Sequence, residues 1–164
     1  MEERMASNES WRSIIASAFD WEQAHANLDS SIADLAPADR GRRPENHPHS
    51  VWELVEHIRR AQWDLLDFCR NPNYKEQKWP DDYWPDSPAP KDDAEWNASL
   101  EAIRNDGKEF AEFTRTFEKD LAEKIPHGTG QTYLRTILVS IDHSSYHVGQ
   151  ILSVRRMIGS WKKS

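Results

Sequence analysis

The sequence predicts an all-α domain, specifically a four-helix bundle, from three observations. Four stretches carry apolar residues at helical spacing. Segments rich in proline or glycine separate them. No stretch shows the strict apolar/polar alternation of a half-buried strand. At 164 residues the chain has the size of one domain. No repeat or composition shift divides it, so residues 1–164 are read as a single unit.

Residues 1–8 are polar. Beyond them Trp11, Ile14, Ile15, Ala18, Leu28, Ile32 and Leu35 recur at helical spacing, and Pro37 ends the run. The first helix is predicted over 9–35, capped by Asn8 or Ser10. Residues 36–49 hold three prolines and a glycine and form a connection. Ser50 followed by Glu53 is a capping box, in which each side chain satisfies the other's backbone N–H. It opens a second helix over 50–69, with Leu54, Val55, Ile58, Ala61, Leu65, Phe68 and Cys69 as its stripe and Asn71-Pro72 as its stop. Residues 71–91 carry five prolines and four aromatics, Tyr74, Trp79, Tyr83 and Trp84. Disordered segments are poor in aromatics. A loop this long in a compact domain packs as a lid or crosses the domain. It is therefore predicted to be ordered and to cover a pocket. Asp92 or Asp93 caps a third helix over 92–123, with Trp96, Leu100, Ile103, Phe110, Phe113, Phe117 and Leu121 inward and Gly107 as a point of close packing. Thr132 caps a fourth helix over 132–158, which ends before Gly159. Its apolar residues spread around the circumference, which predicts burial on more than one side and a second copy of the chain as partner.

Composition excludes several functions. Net charge is −7, and an acidic chain does not neutralise phosphates, so nucleic acid is not an expected partner. No apolar run approaches the roughly 18 residues of a membrane span, and no basic amphipathic stretch suits a membrane surface. The opening Met1-Glu2-Glu3-Arg4 has no apolar signal core, which predicts a cytoplasmic protein. One cysteine, Cys69, excludes an internal disulfide and reads as a core filler.

The chemistry centres on the fourth helix. His143 and His147 are four apart and share one helix face. Two imidazoles so placed can grip one metal ion but cannot complete a site. At ~100° per residue, His57 falls at the edge of the apolar stripe of the second helix, on the side shared with Glu53 and Asp64. His143 and His147 fall beside the main stripe of theirs. The three can therefore meet at a shared cavity as a three-nitrogen centre with an open position. Glu53, one turn before His57, is the candidate to receive the outer N–H of that imidazole, in competition with the capping box. Trp79, Tyr83 and Trp84 of the loop are the candidate pocket residues. His25, His47, His49 and His127 are read as bystanders in loops or on the surface, and Asp142 and Tyr146 as pointing to other faces. No phosphate-cradling glycine loop, HExxH or GxSxG is present.

Four strings then carry a family pattern: HPHSVWELVEHIRRAQWDLLDF, the NP…WPDDYWP loop, IPHGTGQTYLR, and DHSSYHVGQILSVRRMIGSW. From about residue 40 onward the chain resembles the DinB-like (DinB/YfiT) superfamily of metalloenzymes. The resemblance implies an up-down-down-up bundle, often dimeric, with the 71–91 connection crossing between parallel second and third helices. It implies a metal site on His57, His143 and His147, holding one divalent ion, zinc or nickel. It further implies a small-molecule substrate. Some relatives are hydrolases and others transfer groups to a low-molecular-weight thiol. The function expected is thus a metal-dependent hydrolase or thiol S-transferase. The alternative is a non-catalytic, metal-stabilised helical dimer that binds a small ligand.

Overall fold

The computed structural model describes residues 11–20, 22 and 24–161. Among them the chain is all-helical, and its one β-type contact is an isolated antiparallel bridge between Lys124 and Thr132. None of these helices is long and apolar enough to cross a membrane.

The N-terminal segment is not one helix over 9–35. Residues 11–17 are helical (α1) and run into a 3-10 turn, Ala18–Asp20. A separate five-residue helix, α2, spans Leu28–Ile32. Asn27 starts it by accepting a hydrogen bond from the Ser30 N–H. An Asn side chain that bonds the backbone ahead of it favours a new N-terminus over a helix interior. The candidate caps Asn8 and Ser10 lie outside the described residues.

The capping box of Ser50 and Glu53 forms and opens α3, Val51–Arg70. Asp92 caps α4, Asp93–Thr116. This helix stops well before residue 123. Arg12 of α1 donates to the carbonyls of Thr114, Phe117 and Lys119, taking up oxygens that a continuing helix would have bonded. Leu121 is still fully buried, but from a turn. Thr132 accepts from the Arg135 N–H and opens α5, Tyr133–Met157.

Helix α3 is the shared wall, packed against both α4 and α5. The core has two parts. One joins Val51, Leu54, Val55 and Ile58 of α3 to Trp96, Leu100 and Ile103 of α4 and to Ile151 and Val154 of α5. The other joins Leu66 and Cys69 to Phe110, Tyr133 and Ile137. The start of α3 thus meets the start of α4 and the end of α5, so α3 and α4 run the same way and α5 runs against them. The connection from α3 to α4 must travel back the length of α3, which lays residues 71–92 along it.

One glycine differs from expectation. Gly107 is not a close contact, since a Cβ there would lie 3.7 Å from Gln62 Nε2. A tight backbone approach is at Gly41, where a Cβ would sit 2.3 Å from Ala89 Cβ and 2.9 Å from its Cα. The 36–49 connection and the end of the long loop touch there backbone to backbone.

Candidate metal centre

Helix α3 contributes His57, and α5 contributes His143 and His147 one turn apart. Their ligating nitrogens all lie within 4.8 Å of one another, an arrangement that can hold a metal ion. The inner contacts are closer still. His143 Nε2 lies 3.0 Å from His57 Nε2 and 3.1 Å from His147 Nε2. His57 and His147 are buried and His143 is half-buried.

The outer nitrogens fix the tautomers. His57 Nδ1 lies 3.0 Å from the Tyr83 carbonyl, which can only accept, so Nδ1 carries the proton. His147 Nδ1 donates to Gln150 Oε1 at 2.7 Å, and the Gln150 amide nitrogen donates to the Tyr146 hydroxyl at 3.1 Å. In the neutral rings both Nε2 atoms then present lone pairs inward, towards His143 Nε2. A single proton on His143 can satisfy one of the two contacts. A cation satisfies all three nitrogens at once. Burial, reinforced by the neighbouring imidazoles, pushes His143 down to about 3. Burial also pushes His57 down to about 4, against the opposing effect of the Tyr83 carbonyl. His147 is lowered by burial too. Neutral imidazoles with converging lone pairs are the form that binds a divalent ion.

Glu53 does not serve His57. Its carboxylate accepts from Arg43 Nε at 2.8 Å and from Arg43 Nη2 at 2.5 Å, and also from the Ser50 N–H. Burial alone would raise this carboxyl, but Arg43 and Ser50 overcome it and hold it below the ordinary range. The capping box and the ion pair engage both Glu53 oxygens.

The loop aromatics divide by role. Trp84 stacks flat on His57, with centroids 4.0 Å apart and planes at 2°. Its other face carries His49 at 3.9 Å and 9°. Tyr83 supplies its carbonyl to His57 and its hydroxyl to Asp64. Trp79 meets His57 edge-on at 6.3 Å and is 67% exposed, at the rim. His49 is therefore no bystander, although its place before the capping box gives no sign of this. Two residues of α5 were also legible only in hindsight. Gln150 lies three after His147, at helical-neighbour spacing. The Tyr146 ring is 5.0 Å from that of His147, and its hydroxyl accepts from Gln150. His25 is exposed and bonds its neighbour's carbonyl, and His127 bonds the carbonyl of Phe68. Cys69 is buried at the far end of α3, where burial pushes its thiol up to about 12. A cavity of about 900 Å³ between α4 and residues 16–20 and 27–29 is lined by none of the three histidines.

No curated protein and no solved structure matches the chain. The sequence profile of the DinB superfamily does, over residues 20–151, a span that takes in α2 to α4, the long loop, and α5 as far as Ile151 with all three histidines. On that match the chain belongs to the DinB superfamily.

Proposed function

We propose that the protein is a metal-dependent enzyme acting on a small molecule, as a hydrolase or a thiol S-transferase. The observation that carries this reading is the convergence of three Nε2 atoms, two of them locked as lone-pair donors by Tyr83 and Gln150. His57, His143 and His147 would hold one divalent ion, and imidazole suits both zinc and nickel. Such an ion acts as a Lewis acid and lowers the pKa of a water or a low-molecular-weight thiol. The chain's own residues do the rest. The Tyr83 carbonyl and Gln150 orient the imidazoles. Trp84 shields one face of His57 from water. Trp79 and Tyr146, which is 62% exposed, offer aromatic surface to a substrate at the rim.

The architecture we propose is an up-down-down-up four-helix bundle, with α1 and α2 together forming the first wall and the loop ordered across α3. The shared direction of α3 and α4 supports it. A homodimer through α5 is part of the same proposal, supported by exposed Leu138, Val139, Tyr146 and Met157 on that helix.

The test is metal analysis of the purified protein, expected to give about one equivalent of divalent metal per chain. His57→Ala and His143→Ala should each abolish it. Metal-free protein that fails to take up zinc or nickel on titration overturns the reading. One observation favours a runner-up: Glu53, one helical turn before His57, is committed to Arg43 and Ser50 and offers no proton acceptor. That suits a metal-stabilised module that binds a small ligand without turning it over. A panel of thiols with electrophiles, and of amides and esters, separates the two. Metal-dependent turnover supports the enzyme, and metal binding without any turnover supports the module.

A further inference from the structure

Helix α3 presents one continuous line of polar side chains to the long loop. His57, Arg60 and Asp64 follow at spacings of three and four, which places them on one face. All three bond the same short stretch, residues 82–84. His57 donates to the Tyr83 carbonyl. Arg60 Nη1 donates to the carbonyls of Asp82 and Trp84, at 3.2 and 2.9 Å, on either side of it. The buried Asp64 carboxylate accepts from the Tyr83 hydroxyl at 2.7 Å on one oxygen and from the Tyr74 hydroxyl at 2.9 Å on the other.

Tyr83 is thereby held at both ends. His57 and Asp64 are seven residues apart, about 10.5 Å along the helix at 1.5 Å per residue. The tyrosine bridges that separation with its carbonyl at one end and its hydroxyl at the other. A residue so pinned has little freedom to rotate its peptide group. The carbonyl that sets the His57 tautomer is therefore aimed from a distance by the carboxylate two turns further on.

Resting on the three-histidine metal reading above, we propose that Asp64 is a positioning residue for the metal centre, acting on His57 through the two ends of Tyr83. A plain loop staple would treat Tyr74 and Tyr83 alike, because each gives Asp64 one hydrogen bond. The positioning role makes them unequal, because only Tyr83 continues to a ligand. Outer partners of this kind alter metal affinity by roughly 10–100-fold.

The test compares Tyr83→Phe, Tyr74→Phe and Asp64→Asn with the unmodified chain. The probes are zinc affinity by competition with a chelator and the visible spectrum of the cobalt(II)-loaded protein. Urea unfolding is run in parallel to confirm that each variant folds. Tyr83→Phe and Asp64→Asn are expected to weaken zinc binding about 10-fold or more and to shift the cobalt bands. Tyr74→Phe is expected to lose a comparable amount of stability while leaving affinity and spectrum unchanged. Equal effects of the two tyrosine variants, or no effect of Tyr83→Phe on a chain that binds zinc, overturn the positioning role alone. An unmodified chain that binds neither metal overturns the metal reading and this inference with it.

Discussion

Replacing Ser50 with alanine removes two bonds with one atom. The Ser50 hydroxyl accepts from the Glu53 N–H at the start of α3 and donates to the Pro88 carbonyl at 2.5 Å. Ser50 is fully buried, whereas Pro88 is exposed and its carbonyl can turn to water. Loss of an N-cap costs roughly 0.5–2 kcal/mol. Losing the bond to the exposed Pro88 carbonyl costs the net value of an ordinary hydrogen bond, roughly 0.5–1.5 kcal/mol. Together the loss is about 1–3.5 kcal/mol, or a fall in Tm of about 2–14 °C for a chain of this size. Urea unfolding followed by far-UV circular dichroism reads it, with the denaturant slope expected to stay constant. Limited proteolysis within residues 71–91 should accelerate in parallel, because the loop loses its tie to α3. A loss below about 0.5 kcal/mol, the scale of an ordinary surface change, would refute the double role of the hydroxyl.

Three further outcomes are expected. Gly41→Ala pushes a Cβ to within 2.3 Å of Ala89 Cβ and should cost about 1–3 kcal/mol in urea unfolding. The double variant Gly41→Ala/Ala89→Gly should recover part of it, because one of the two clashing atoms is gone. For Glu56, burial raises the carboxyl, but hydrogen bonds from Arg59, Ser99 and Arg60 outweigh burial and hold it below the ordinary range. Its contribution is then complete above about pH 4.5 and is lost as pH falls through the lower folded value. Glu56→Gln should accordingly be less stable at neutral pH and lose less stability between about pH 6 and about pH 3 than the unmodified chain. The buried Cys69 thiol should resist alkylation in the native state at neutral pH and react fully once urea unfolds the chain.

What could be read in the sequence was what local chemistry decides. Ser50, Asp92 and Thr132 each cap a helix start, because a cap acts on N–H groups only two or three residues ahead. The three histidines were legible as well, since helical spacing places each on a face regardless of what lies opposite. The misreadings have other causes. The apolar pattern of the first helix is empty between Ala18 and Leu28 except for aromatics and alanines, and bridging that gap hid the break that Asn27 makes. The early end of α4 depends on Arg12, more than a hundred residues away in the chain. The fate of Glu53 was decided by Arg43 and the capping box together, where spacing alone aimed it at His57. Spacing along one helix cannot reveal that Trp84 returns from the loop to lie between His49 and His57.

That sandwich gives the molecule an optical consequence. An indole lying flat between two imidazoles responds in its emission to the charge and ligation of the rings on its faces. Trp84 lies flat on one ring of the candidate metal centre, His57, and on one outside it, His49. Exchanging the other tryptophans for phenylalanine would leave a single emitter that reports on His57 from inside the protein. Metal uptake could then be followed as a light signal, with no dye added and no chemistry required.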